Sequence, residues 1–414
     1  MSFRFLQRSV GTLDILVYLH KEKTADVKTL TKDLHLSNTG FYSAAERLKR
    51  LGFLFEEENK GYPTHVYYEL TPRGEQVADY LAPIASMLKD TTVGMEEQLE
   101  RLREMPSTPE DLRKMHALDE TLCEEHYLRG GWETAFTLAS ESLKAAEKLG
   151  ETSLRARSHM WIGKIKQKED QEACVKHLEL AISLLEAGAD PAVVAEAYYL
   201  LGSHFERKGR YEEAREQFTN CVKFAERGED KVRVGLGKAG HGRVLGRLGE
   251  FKESYRLLQE AREHLEEIGE QEELPSVLSS LAFTCSHIDV KEAMNWERKA
   301  IDLAEQVGDI RAQSYGLMNA AGFHLQLDEN KSALKCLTES FKLAQKLGET
   351  KLQCSIALQE ASVFQKTRKL RSAAVSAERA LGLAQSKGFI RDKAFAYFIL
   401  GTIANKKKIT QILR

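Results

Sequence analysis

Basic side chains at regular spacing are the residues of this chain whose pattern indicates ligand chemistry. Lysine, arginine or histidine recurs near the end of successive predicted helices, at Lys168, Arg207, Arg247, His287, Lys366 and Lys406, with Lys164 and Arg243 one turn earlier on the same face. Side chains of this kind bind carboxylates, so we expect an effector groove for an acidic peptide, a free C-terminus or a small anion. The alternative is that these cations only stabilise helix C-termini through the helix dipole.

Catalytic and metal-binding patterns are missing from the sequence. The twelve histidines form no HExxH, the six cysteines form no CxxC, and neither a P-loop, a GxSxG nor a strand-linked GxGxxG occurs. We therefore predict a protein that is not an enzyme and that has no metal and no cofactor.

Composition and charge exclude further classes. The 414 residues carry 60 Lys+Arg and 62 Asp+Glu, a formal charge of −2, so no global basic excess marks a nucleic-acid or membrane binder. Apolar runs are far shorter than the ~20 residues of a membrane-spanning helix, and no signal-peptide pattern begins the sequence. These features predict a cytoplasmic protein with no membrane partner.

A repeat occupies most of the chain. A glycine recurs every 38 to 41 residues, at Gly150, Gly188, Gly228, Gly269, Gly308, Gly348 and Gly388. Two helix-length stretches separated by a short turn lie between successive glycines, so each unit is a predicted helical hairpin. The unit from Pro191 has the series Leu201, Gly202, Phe205, Gly209, Tyr211, Ala214, Phe218 and Cys221.

This series resembles the tetratricopeptide repeat (TPR). The resemblance implies a mainly α fold in which residues 109–414 form a superhelix of about seven hairpins and a capping helix from Ile390. It also implies a concave groove that takes a peptide or protein. Quorum-sensing peptide receptors resemble the chain in architecture, since they join a DNA-binding helix-turn-helix to such repeats. Their grooves are rich in Asn, whereas Asn319 is nearly alone on the first helices between Pro191 and Gln385.

Residues 1–90 have a different pattern. Three short helices are predicted, the third with Ser37 as N-cap, followed by a β-hairpin over Phe53–Leu70. This order, together with the segment Tyr68-Glu69-Leu70-Thr71-Pro72-Arg73-Gly74, resembles the winged helix-turn-helix of MarR-, HxlR- and ArsR-like regulators. The resemblance implies that this part binds double-stranded DNA.

The resemblance also names the DNA-binding residues. The outward face of the third helix would carry Asn38, Thr39, Tyr42, Ser43, Glu46, Arg47 and Arg50, while Lys60 and His65 on the wing would approach the backbone or minor groove. Arg47 suits a bidentate contact to guanine and Asn38 one to adenine. Residues 1–75 have 11 Lys/Arg and 10 Asp/Glu, so affinity for random DNA should be low.

The stretch between the two parts has two interpretations. Val77, Tyr80, Leu81, Met95 and Leu99 belong to one or two amphipathic helices, with residues 91–108 as a linker. These helices either form a homodimer, which predicts a palindromic DNA site, or pack on the first repeat as a cap.

Together these features predict a sequence-specific transcriptional regulator whose TPR domain binds a peptide, protein or small anionic effector. The alternative is a non-catalytic TPR adaptor in which the winged helix makes protein contacts.

Overall fold

The computed structural model describes residues 11–59, 65–104, 108–129, 131–167, 171–184 and 190–412, and Gly188 lies outside them. The chain divides into two compact units, Met1–Glu270 and Gln271–Arg414. The predicted fold class is confirmed, because helices dominate both units and a small sheet near the N-terminus is compatible with a wing. None of the described helices is long and apolar enough to cross a membrane.

The first unit begins with an alternation of short helices and strands. Its elements are α1 (Thr12–Glu22), β1 (Thr24–Asp26), α2 (Val27–Asp33), α3 (Asn38–Arg50), β2 (Leu54–Asn59), β3 (His65–Leu70) and α4 (Pro72–Glu104). The strands are antiparallel in the order β1-β3-β2. Tyr68 of the central strand β3 pairs with Ala25 of β1 on one side and with Glu56 of β2 on the other. The predicted hairpin is present, but the sequence analysis missed β1, which has three residues and is too short for a periodic pattern.

The junction of β3 and α4 explains the Tyr68–Gly74 segment physically. Tyr68 is buried, and its ring meets that of Phe41 edge to face with 5.2 Å between centroids. The Thr71 hydroxyl donates to the Gly52 carbonyl oxygen and accepts from the Gly74 amide at 3.0 Å. A Cβ on Gly74 would lie 2.0 Å from the Phe53 carbonyl oxygen, so only glycine fits.

Helix α4 is one continuous helix of 33 residues that includes residues 91–104 of the predicted linker. Near its start, Ala78 and Leu81 belong to the N-terminal core. Near its end, Leu99 is buried in the core of the first hairpins, and Met95 packs against that core. This packing agrees with the interpretation of the stretch as a cap on the repeats. The domain boundaries at residues 90 and 108 stay predictions.

The remainder of the first unit consists of four helical hairpins. Their helices are α5 (Pro109–Arg129), α6 (Trp132–Leu149), α7 (Thr152–Lys166), α8 (Gln171–Ser183), α9 (Pro191–Lys208), α10 (Tyr211–Arg227), α11 (Lys231–Leu248) and α12 (Phe251–Glu267). The helices cross closely where the repeat has glycine, since a Cβ on Gly240 would meet the Phe218 ring at 2.5 Å.

The second unit has three hairpins and a last helix. Its helices are α13 (Leu274–Cys285), α14 (Val290–Val307), α15 (Ile310–Gln326), α16 (Asn330–Lys346), α17 (Thr350–Lys366), α18 (Leu370–Lys387) and α19 (Ile390–Ile412). The described residues thus contain the seven hairpins and final helix that the spacing of the glycines predicts.

Candidate functional site

The polar face of α3 is formed by four residues at helical spacing. Ser37 caps the helix by accepting from the Gly40 amide at 3.1 Å, and Phe41, Ala44, Ala45 and Leu48 are buried beneath it. The opposite face carries Thr39, Ser43, Glu46 and Arg50, at positions i, i+4, i+7 and i+11. Arg50 is exposed and the other three are partly exposed.

Asn38 and Tyr42 lie beside this face in different environments. Asn38 is exposed at the start of α3. Tyr42 packs partly against the N-terminal core, and burial, followed by the charge of Glu56, raises the pKa of its phenol. Tyr42 therefore offers less of its surface to a ligand than Asn38 does.

The expectation that Arg47 lies on the outward face of α3 is wrong. Arg47 is only 8% exposed, and its Nε and Nη1 atoms are buried. The residue lies three positions after Ala44 and next to Leu48, at the edge of the buried stripe, where the long aliphatic part of its side chain can pack inward. Arg50, three residues later in the helix, is exposed.

The charge around α3 is mixed. The Lys49 ammonium lies 3.1 Å from a Glu46 carboxylate oxygen and 3.2 Å from one of Glu56. Burial lowers the pKa of Lys49, but these two carboxylates outweigh that effect and raise it overall. Lys49 thus makes one ion pair within α3 and one that joins α3 to β2. Two exposed cations that the sequence pattern did not single out, Lys28 and Lys32, lie one turn apart on the neighbouring helix α2.

The two side chains predicted to contact DNA from the wing lie outside the described residues. Lys60 lies outside the described residues, and the side chain of His65, at the start of β3, is also outside them.

The basic residues of the predicted effector groove contact their own protein in the first unit. Lys164 lies 2.9 Å from Glu196 of α9 and 4.4 Å above the Trp161 ring. Arg243 makes two hydrogen bonds to Glu206, at 2.7 and 3.1 Å. Burial raises the pKa of Glu196, but Lys164 and then Arg233 outweigh it and lower the value overall. These pairs join the first helices of neighbouring hairpins.

The remaining residues of the predicted groove have varied surroundings. Arg207 and Arg247 are exposed near the ends of α9 and α11, and Lys168 lies outside the described residues. In the second unit, Lys366 donates to the Leu325 carbonyl oxygen at 2.7 Å and pairs with Asp328, while the His287 ring lies 3.0 Å from the Phe283 carbonyl oxygen. The side chain of Lys406 is outside the described part of the chain. The alternative interpretation, in which the cations stabilise helix C-termini, explains Lys366 directly. Its ammonium group binds a carbonyl oxygen in the last turn of α15.

A cleft of about 370 Å³ lies in the second unit, mainly between helices that come first in their hairpins. Its walls are mainly apolar and come from α15, α16, α17 and α19, including Leu325, Leu337, Leu358 and Phe395. Gly322 lies in one wall, and a Cβ there would meet no atom within 4 Å. This volume is within the range of small-ligand sites. No pattern in the sequence predicted this cleft.

Three polar side chains of α17, Ser355, Gln359 and Ser362, line the cleft at i, i+4 and i+7. The Ser355 and Ser362 hydroxyls donate to carbonyl oxygens of their own helix, at 3.2 and 3.0 Å. Gln359 has a buried Oε1 that accepts no hydrogen bond from any described residue. The Ser355 and Ser362 oxygens keep the capacity to accept a hydrogen bond from an N–H group of an apolar ligand.

One buried cluster superficially matches a catalytic triad. The His116 ring lies 3.1 Å from the Ser158 hydroxyl and 4.0 Å from a Glu120 carboxylate oxygen. Ser158 and His116 are each only 2% exposed, and the Ser158 hydroxyl also contacts Ser142 and the Leu154 carbonyl oxygen. A nucleophile enclosed in this way holds helices together instead of meeting a substrate. No group of three or more metal-ligating side chains occurs among the described residues.

Comparison with known proteins identifies the fold. No family model matches the sequence, and no curated protein matches it either. Among solved structures, the apo form of the quorum sensor NprR from B. thuringiensis has a TM-score of 0.56 at 15% identity, covering 91% of this chain and 99% of that one. A Rap protein complexed with competence and sporulation factor has a TM-score of 0.52 at 14% identity, covering 81% and 94%.

A third structure, a signal transduction ATPase with numerous domains and a tetratricopeptide repeat sensor from Pyrococcus horikoshii, has a TM-score of 0.53 at 15% identity. It covers 97% of this chain, which spans 61% of that protein. At these identities the similarity concerns the fold, and the chain has the helical-repeat fold of TPR-like proteins.

Proposed function

We propose that this protein is a non-catalytic regulator that binds duplex DNA through α3 and a peptide or protein effector through its helical repeats. The observation that carries the DNA-binding part is the row of Thr39, Ser43 and Arg50 along the outer face of a capped helix, in an α-β-α-α-β-β order. A helix with such a face fits the major groove, where arginine reads guanine. Lys28 and Lys32 on α2 would meet the phosphate backbone.

DNA binding is tested with the full chain and duplexes selected from a random pool. The affinity should fall linearly on a log–log plot against salt concentration, because phosphate contacts release counterions. Arg50→Ala should weaken binding to the selected site about tenfold or more, since a bidentate base contact contributes ~1–3 kcal/mol. The matched control is Arg371→Ala, an exposed arginine of α18 in the second unit.

The adaptor function is the second candidate, and two observations favour it: Arg47 is buried, and Glu46 and Glu56 lie beside the helix face that would meet phosphate. An adaptor predicts no selected DNA sequence, no salt-dependent DNA binding and no effect of Arg50→Ala. That result would reject the DNA-binding proposal and leave the repeat array as the functional part.

The effector site proposed here is the cleft of the second unit. The NprR structure is that of a quorum sensor and the Rap structure holds a signalling factor, which supports a ligand role for a repeat array of this fold. The apolar walls and the acceptors of α17 favour an uncharged, apolar peptide over the anion that the basic residues predicted.

The cleft is tested by selecting peptides from a displayed random library on the full chain. Gly322→Phe fills the cleft and should abolish binding of the selected peptides. Gly382→Phe is the control, because Gly382 is a second helical glycine with open space around it. Equal peptide binding by Gly322→Phe and the parent would rule out this site.

A further inference from the structure

The hairpin of α7 and α8 holds two histidine rings in contact. His159 Nδ1 lies 3.0 Å from His177 Nδ1, so one ring donates a hydrogen bond to the other. His159 is buried and His177 is half-buried. The Nε2 atoms of both rings have no hydrogen-bond partner among the described residues, so each ring keeps a polar atom for another group.

Arg155 lies one turn before His159 on the same face of α7. This face packs on α8, because a Cβ on Gly163, one turn further on, would lie 2.7 Å from the Leu178 side chain. The Arg155 guanidinium has no ion pair among the described residues, and its Nε is buried without a hydrogen-bond partner. By contrast, Arg157 on the opposite face of α7 pairs with a carboxylate of α5.

The repeat has a core residue at the position of this arginine. The same glycine recurs in three successive first helices, as Gly163, Gly202 and Gly242. Eight residues before it stand Arg155 in α7, Val194 in α9 and Val234 in α11, and both valines are buried. A half-buried cation that replaces a core valine and has no partner destabilises the fold, and departures of this kind from a local rule mark functional positions.

The charges that act on the histidine pair are all positive. Burial, followed by His177 and Arg155, lowers the pKa of His159 to about 4, and burial followed by Lys176 lowers the pKa of His177. No carboxylate of the described residues counters these effects, either on α7 and α8 or on α5, α6 and α9, which pack against them. An anion is therefore the charge that this place lacks, and its presence favours protonation of the rings.

We propose that Arg155, His159 and His177 form a binding site for a phosphate group. The planar guanidinium holds two of the phosphate oxygens, and the imidazole rings donate N–H groups to the others. A phosphate group suits three donor side chains better than a carboxylate does, because it has three or more acceptor oxygens and about two negative charges. None of the basic residues predicted for the effector groove takes part, and the site does not depend on DNA or effector binding.

The first test measures binding of inorganic phosphate and of sulfate to the full chain by titration calorimetry at constant ionic strength. Arg155→Val gives this hairpin the residue of the next two hairpins, so it should fold as stably as the parent and bind both anions at least tenfold more weakly. Arg207→Ala, at an exposed arginine of α9, is the matched control and should bind as the parent does. Equal binding by Arg155→Val and the parent, or no binding by the parent, would overturn the proposal.

The second test determines whether the histidines belong to the site. Sulfate keeps its charge between about pH 5.5 and about pH 8, so stronger binding at the lower pH reports protonation of the protein. The affinity for sulfate should rise about tenfold over this range in the parent and less in His177→Gln. Equal affinities at both pH values would exclude the two rings from the site.

Phosphoserine with blocked termini, measured in the same way, identifies the source of the phosphate group. Tighter binding than that of inorganic phosphate indicates a phosphorylated peptide, and weaker binding indicates the free ion; the site stands in both cases. Equal binding of the blocked serine without its phosphate would contradict phosphate recognition.

Discussion

Glu297 is a buried acid with no ion pair among the described residues. Its side chain is fully buried on α14, where the Ser279 hydroxyl donates to Oε1 at 2.8 Å and the Asn319 amide lies 3.5 Å from the same atom. Its Oε2 accepts no hydrogen bond from any described residue. Burial raises the pKa of Glu297 to about 7, although both hydrogen bonds lower it. Burial therefore favours the protonated, neutral form of Glu297 at this position.

We predict that Glu297 makes the stability of the protein fall as the pH rises. Because its pKa is higher in the folded than in the unfolded state, its favourable contribution is complete below about pH 4.5 and is lost as the pH rises through about 7. Glu297→Gln keeps the acceptor and removes the charge, so it should raise the free energy of unfolding at pH 8 by up to ~3 kcal/mol and change it little at pH 4.5.

Denaturant unfolding of the full chain at the two pH values, with hydrogen exchange of α14 as the local probe, measures this effect. Glu305→Gln, at an exposed site of the same helix, is the control. An equal gain at both pH values would show that the carboxylate is not the cause.

Arg47 and Arg50 show how much of a site the sequence predicts at this scale. The stripe of Phe41, Ala45 and Leu48 correctly predicted which side of α3 is buried. It did not decide residues at the edge of the stripe, because a long arginine side chain at that angle can point to solvent or lie along the core. Only the packing around α3 decides between the two.

At the scale of elements, α4 connects the N-terminal core with the first hairpin. Near its end, Arg103 lies 2.7 Å from the carboxylate of Asp119 on α5, and Asp119 is fully buried. Burial raises the pKa of Asp119 to about 7, with Arg103 lowering it and Glu141 raising it. The pair therefore holds α4 against the repeats.

We predict that Arg103→Ala destabilises the first unit by a few kcal/mol at pH 8, because it leaves a buried carboxylate without its partner. The loss should be smaller at pH 5, where Asp119 can be protonated. Denaturant unfolding at both pH values measures it, and Asp119→Asn combined with Arg103→Ala should restore much of the stability. Arg101→Ala, at an exposed arginine two residues earlier, should have little effect, and a similar loss there would refute the role of the pair.

The helical hairpins were predictable because their signals are local. Glycines at the turns, such as Gly209 and Gly249 with φ of 75° and 87°, adopt the left-handed conformation that glycine favours. Strand β1 was not predictable in this way, since its three residues become a strand only by pairing with Tyr67, Tyr68 and Glu69 of β3.

At the scale of the whole molecule, the two units carry different proposed tasks. The first contains the proposed DNA-binding helix, and the second contains the cleft.

The sequence alone determined the repeat period, the helical hairpins and the different pattern of the first ninety residues, because glycine turns, caps and apolar spacing act within a few residues of each other. Only the tertiary structure decided that Arg47 is buried, that Lys164 and Arg243 are held in ion pairs, and that Gln359 faces an apolar cleft. Each of these depends on side chains some thirty or more positions away in the chain, or on packing at the edge of a helix, and no local pattern encodes such contacts.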